Sequence, residues 1–168
     1  VCTQYSYNKE KGFQNIGREI CSYKLGSEYE SGGAGVVSTV NDYIKFLEGI
    51  RLGKVISPDT IEKMTVDYLT DEQRAVCWVE KGYGYGLGIR TPDKTGKRTD
   101  FGWNGVAGAF GAVDLKNEIT LYYSQAVLTS PARPLQSSYI EAAKLDLGFE
   151  AYEEEMWKEE LNPLTGVY

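Results

Sequence analysis

Thr99–Val127, TDFGWNGVAGAFGAVDLKNEITLYYSQAV, decides how the chain is read. Apolar and aromatic residues (Phe101, Trp103, Val106, then Phe110, Ala112 and Val113) are interrupted by small Gly and Ala. Lys116-Asn117-Glu118 marks a polar turn. Beyond it Ile119, Leu121 and Tyr123 alternate with Thr120, Tyr122 and Ser124, the period of a half-buried strand. The stretch predicts three short strands with tight connections. Gly102, Gly105, Gly108 and Gly111 fall among them, where glycine weakens a strand and marks a bulge or a close backbone approach. A ligand or another segment is therefore expected near the backbone around Trp103–Gly108.

Upstream, Gly82–Ile89 (GYGYGLGI) sets Tyr83, Tyr85, Leu87 and Ile89 on one side of a predicted strand and glycine on the other. Such a strand must pack very close to a neighbour. Pro92–Gly96 then turns the chain back. The best-signalled helix follows Ser38 or Thr39 as N-cap, with Thr39 and Asp42 at capping-box spacing. Val40, Tyr43, Ile44, Leu47 and Ile50 form its apolar face and Gly53 its stop. Ser57-Pro58 opens a second helix, with Ile61, Met64 and Tyr68 facing inward. Thr70–Lys81 reads as loop, and so does the Tyr-rich Val1–Tyr29, with a short strand near Ile16–Tyr23. Ser31–Gly35 is glycine-rich but lacks the Gly-Lys-Ser/Thr ending of a phosphate loop, so it reads as a tight turn into the first helix.

Downstream, Pro131–Leu147 predicts a closing helix with Leu135, Tyr139, Ala142, Ala143 and Leu145 or Leu147 apolar. The fold class is α+β, an antiparallel sheet flanked by helices. Residues 1–147 read as part of one domain and 148–168 as an acidic C-terminal extension, either a solvated tail or a packed appendage carrying Tyr152, Met156 and Trp157.

Composition narrows the chemistry. With 168 residues and a net charge of −6, the chain can bury a core and carries no basic stripe for nucleic acid. It shows no run of membrane-spanning length and no signal-peptide pattern. Cys2, Cys21 and Cys77 fit neither a metal spacing nor a disulfide framework, so they read as unpaired thiols, which favours a cytoplasmic setting. Histidine is absent, which removes Ser-His-Asp and Cys-His catalysis and His-ligated metals. No cofactor or metal is expected. The sequence begins at Val1 rather than Met, which reads as a removed leader or as part of something longer.

The series of glycine-rich loop, capped helix, Ser-Pro helix, Tyr-Gly strand, Trp-Asn-Gly strand, two further strands and closing helix resembles the C-terminal half of the penicillin-recognising serine hydrolases. These are the class C β-lactamases, D-alanyl-D-alanine carboxypeptidases and related esterases, with the β-lactamase/transpeptidase-like fold. Gly32–Tyr43 is similar to their Gly-Gly-x-Gly-Leu-x-Ser-Thr-x-x-Asp-Tyr stretch, and Gly82–Ile89 to their Gly-Tyr-Gly-Leu-Gly-Trp strand. Trp103-Asn104-Gly105 sits where they carry a third motif, Lys-Thr-Gly or His-x-Gly, and Ser130–Arg133 resembles the lead-in to their last helix. The literal Lys94-Thr95-Gly96 lies in a predicted turn one strand too early and is read as coincidence.

The resemblance implies acyl transfer or hydrolysis of a β-lactam, peptide or ester. The Val106 backbone N–H would be an oxyanion-hole donor, and Trp103, Asn104 and Gly105 would line the substrate. Trp103 reads equally as a core aromatic. It brings no cation, which weighs against β-lactam or peptide-carboxylate recognition and toward an esterase-like or undetermined activity. The family's Ser-x-x-Lys helix turn is not found here. Nor is a Tyr-x-Asn, and Ser6-Tyr7-Asn8 is not taken for the second motif. The resemblance thus implies a C-terminal fragment, inactive alone, that either self-associates or is held by the N-terminal half of the same enzyme. It also leaves an extracytoplasmic location open. The alternative is a non-catalytic binding module that recognises peptide or glycan with its Tyr/Trp-rich face.

Overall fold

The computed structural model describes residues 2–17, 36–77, 83–94, 96, 98–130 and 136–149. The glycine-rich loop Ser31–Gly35, Cys21, the Pro131–Arg133 lead-in and the extension beyond Phe149 lie outside them.

The three strands expected in Thr99–Val127 are β5 (Asp100–Asn104), β6 (Phe110–Asp114) and β7 (Ile119–Tyr123). They pair antiparallel in register, Trp103 opposite Gly111 and Ala112 opposite Leu121. Two short strands, β3 (Gly84–Tyr85) and β4 (Arg90–Thr91), complete a five-stranded sheet of order β3-β4-β5-β6-β7. The predicted Gly82–Ile89 strand is therefore broken. The chain bends at Gly86–Gly88, where Gly88 has φ +77°, and returns as β4. The expected close packing of its glycine face is present: a Cβ on Gly86 would lie 1.9 Å from the Met64 carbonyl oxygen.

On one face of the sheet lies α1 (Val40–Arg51), capped by Thr39, whose side chain accepts from the Asp42 N–H at 3.2 Å. Leu47 is buried with Phe101, Val113 and Ile61, and Tyr43, Ile44 and Ile50 pack around them. Val40, predicted to face inward, is exposed at the helix start, ahead of the turn that reaches the sheet. Helix α2 (Pro58–Met64) opens at Ser57 as expected and buries Ile61. Tyr68 instead lies beyond its end, exposed, with its hydroxyl donating to the Lys63 carbonyl. The expected loop after Thr70 contains α3 (Asp71–Val76), opened by a complete Thr70–Gln73 capping box.

Helix α4 (Gln136–Asp146) ends at Gly148 (φ +82°), with the Phe149 N–H returning to the Lys144 carbonyl. Leu145 and Leu147, one or the other of which is expected among its apolar positions, are both exposed. The residue that enters the interior is Lys144, 2 % exposed, and its Nζ lies 3.1 Å from Asp114 and 3.6 Å from Asp100. Asp100 also accepts from the Tyr83 hydroxyl, and Arg90 and Arg98 lie over the Tyr83 ring at 4.9 and 4.6 Å. A buried ionic cluster thus joins the helix to β5 and β6. Strand β7 is partly buried along its whole length. Tyr122 packs on Tyr43 of α1 and Tyr123 stacks on Tyr139 of α4 at 4.3 Å, so both faces are covered.

The N-terminal region, read as loop, is a hairpin of β1 (Gln4–Asn8) and β2 (Gly12–Gly17). The β1 strand also pairs, in parallel, with β8 (Val127–Leu128), forming a second sheet of order β2-β1-β8.

Candidate functional site

Trp103, Asn104, Gly105 and Val106 are consecutive at the end of β5 and the start of the turn into β6. The Gly108 N–H donates to the Gly105 carbonyl at 3.0 Å, closing Gly105–Gly108 as a β-turn, and the Gly105 N–H donates to Ala109 at 2.7 Å. Both glycine amides are thereby satisfied, whereas the Val106 N–H has no acceptor among the described residues. Val106 is 66 % exposed at the tip. Gly108 has φ +96°, a conformation costly for any side chain. A Cβ there would also meet Gln125 Cγ at 2.2 Å. The turn is tied from behind by the Val127 N–H, which donates to the Ala107 carbonyl at 3.2 Å.

The close backbone approach expected around Trp103–Gly108 therefore has two protein causes. One is Gln125 at Gly108. The other is Gly102, whose Cβ would lie 2.0 Å from the Gly111 carbonyl oxygen across the β5–β6 ladder. Strand β5 is interior: β6 runs its full length, and β4 meets it at the single register pair Arg90–Gly102.

Trp103 is half-buried and meets the Tyr85 ring edge-on at 6.0 Å. Tyr85 is itself held in place, its N–H donating to Asp67 at 3.2 Å. Asp67 also accepts from the Leu69 N–H and pairs with Arg74, which in turn donates to the Tyr83 carbonyl. Burial opposes the charge on Asp67, but the Tyr85 and Leu69 N–H groups and Arg74 outweigh it and lower its pKa. An ionised anchor thus fixes β3 against α3 and sets the wall on which Trp103 leans. Sequence reasoning missed Asp67 and Arg74; the Thr70–Gln73 box that positions Arg74 was the available signal.

Ser6-Tyr7-Asn8-Lys9 amends the reading that the nucleophile motif is absent, since it has Ser-x-x-Lys spacing and its first three residues have Ser-x-Asn spacing. Ser6 and Asn8 lie on strand β1, with Lys9 in the turn that follows. On a helix, positions i and i+3 share a face one turn apart. In extended chain they point to opposite sides, roughly 10 Å apart along the strand. These are matches of spelling, without the motif's geometry. Lys94 and Gly96 likewise fall in the β4–β5 connection, where the Gly96 N–H donates to Asp93. The two cysteines described, Cys2 and Cys77, are free thiols. Among the described residues no His/Cys/Asp/Glu group could hold a metal ion, and no helix is long and apolar enough to cross a membrane.

The sequence profile of the family described as Beta-lactamase matches residues 5–145. The chain belongs to the beta-lactamase family. Two curated relatives are 32 % identical over 113 residues: Uncharacterized protein MT1414 of Mycobacterium tuberculosis (strain CDC 1551 / Oshkosh) and Protein Rv1367c of M. tuberculosis (strain ATCC 25618 / H37Rv). Each match takes in 54 % of this chain and 27 % of the relative. A solved structure, "EstCE1, a hydrolase with promiscuous acyltransferase activity", superposes with a TM-score of 0.59 at 22 % identity, covering 80 % of this chain and 41 % of that one. The β-lactamase-like hydrolase fold is thus shared, and the chain spans less than half the length of these proteins.

Proposed function

We propose that this chain supplies the oxyanion-hole strand and one substrate wall of a β-lactamase-like acyl hydrolase, and that it is not catalytic by itself. The observation that carries the reading is the Gly105–Gly108 turn, which ties its glycine amides internally and leaves the Val106 N–H at an exposed tip. In acyl transfer a serine oxygen attacks a carbonyl carbon, and the carbonyl oxygen gains negative charge. A fixed N–H aimed at that oxygen stabilises the transition state, by about 3 kcal/mol for a single donor. The nucleophile and its lysine belong, in this reading, to a Ser-x-x-Lys helix turn outside the sequence, in the N-terminal half of the same enzyme.

Trp103 and Tyr85 make the wall aromatic where the family pattern has a cation. That favours neutral esters over substrates recognised through a carboxylate. Acyl transfer is also the chemistry named for the structural neighbour.

The test is intact mass after incubation with a fluorophosphonate or a labelled penicillin. The chain alone is expected to take no adduct, and the chain joined to a Ser-x-x-Lys-bearing half is expected to become labelled there. Val106→Pro keeps a residue suited to the second position of a β-turn but removes the N–H. It should slow labelling by roughly 10²–10³-fold. A stoichiometric adduct on the chain alone, or an undiminished rate with Val106→Pro, would overturn the reading.

A further inference from the structure

The exposed amide at the turn is useful to chemistry only if the turn is rigid, and the residue that holds it lies on a different segment. Gln125 follows β7, and its stem is pressed against Gly108 so closely that no Cβ fits between them: an ideal one would sit 2.2 Å from Cγ and 2.6 Å from Nε2. Ser130 Oγ donates to Gln125 Oε1 at 3.1 Å, which fixes the orientation of the amide. Ser130 is itself buried. The Nε2 atom is shut away from solvent against the turn, with no acceptor among the described residues, so its contact with Gly108 is one of packing. Two residues further on, Val127 ties the Ala107 carbonyl.

We propose that Gln125, oriented by Ser130, is a positioning residue for the Gly105–Gly108 turn: it blocks the backward movement of Gly108 and so fixes the direction of the Val106 N–H. The proposal rests on the reading of Val106 as oxyanion donor for its use in catalysis, but the mechanical claim stands on the Gln125–Gly108–Ser130 contacts. It also accounts for the lack of room for a Cβ at Gly108. Gln125 touches no substrate in this account, and its effect runs through the turn.

The two claims separate experimentally. In ¹⁵N-labelled chain, Gln125→Ala should shift the Val106, Ala107 and Gly108 amide resonances and speed exchange of the Gly108 N–H roughly tenfold, while Val113 and Leu121 amides stay protected. Gln125→Met, which keeps the stem and loses the Ser130 bond, should give the same local pattern at smaller amplitude. Unchanged turn amides in Gln125→Ala, or a uniform loss of protection across β5–β7 in both variants, would overturn the positioning role. With the Ser-x-x-Lys half present, Gln125→Ala should lower the labelling rate with little change in half-saturating probe concentration. A local amide response accompanied by an unchanged labelling rate would uphold Gln125 as the prop of the turn and refute Val106 as the donor.

Discussion

Replacing Lys144 by Met tests whether the buried ionic cluster holds α4 on the sheet. The substitution keeps the volume of the stem and removes the charge. At an effective dielectric of about 20, ion pairs at 3.1 and 3.6 Å are each worth roughly 5 kcal/mol before desolvation. Taking an ammonium out of water returns several kcal/mol of that, and losing one partner of a buried pair typically costs about 3–5 kcal/mol. Asp114 keeps hydrogen bonds from Thr99 (2.6 Å) and Asn117 (2.9 and 3.0 Å), and Asp100 keeps Tyr83 (3.2 Å). The lower end of the range therefore applies, about 3 kcal/mol. Urea unfolding followed by tryptophan fluorescence should show the midpoint fall at constant slope. Adding Asp114→Asn to Lys144→Met should recover part of the loss, because one of the two carboxylates left without the lysine is then removed as well. A loss below about 1 kcal/mol for Lys144→Met would refute the argument and make the cluster neutral to folding.

Two further outcomes follow from the same sheet. Gly102→Ala would drive a Cβ to 2.0 Å from the Gly111 carbonyl and 2.9 Å from Ala112 Cα, both backbone atoms, so β5 and β6 must part. The cost should reach about 2–3 kcal/mol by denaturant melt, whereas Gly105→Ala, with its nearest atom at 3.6 Å, should cost within about 1 kcal/mol. The pKa of Asp114 is lowered from its ordinary 3.8: burial opposes the charge, but Thr99, Asn117 and Lys144 outweigh it. A depressed folded-state pKa gives stability that is complete above the unfolded value near 3.9 and is lost as pH falls through the folded one. The stability gap between wild type and Asp114→Asn should therefore narrow below about pH 4, and a gap that is constant from pH 6 to 3 would contradict it.

The parts of the fold legible in the sequence are those set by local signals. Alternation in Ile119–Tyr123, the Thr39 and Ser57 caps and the Gly53 stop each depend on a few neighbouring residues, and each lies where expected. Helix α3 had its capping box in plain view, but it buries none of its residues and so shows no apolar period. The N-terminal hairpin was hidden for a related reason: much of it is exposed, Phe13 at 62 % included, so Tyr and Phe there carried no core signal. Lys144 could not be read because a buried lysine needs Asp100 and Asp114, which only the folded sheet brings to it. At the candidate site, Trp103–Val106 was legible only as a contiguous run at the end of a strand. The turn geometry, the Asp67 anchor and the Gln125 prop depend on segments that meet only through the fold.

The parallel pairing of β1 with β8 gives the N-terminal hairpin a reach that its exposure conceals. The Tyr5 N–H donates to Ala126, and the adjoining residue, Val127, grips the Ala107 carbonyl. A proteolytic cut or a truncated expression boundary just after Gly17 would slacken a mechanical linkage ending at the Val106 tip. Any shortened version of this protein intended for assay should therefore keep its first strand.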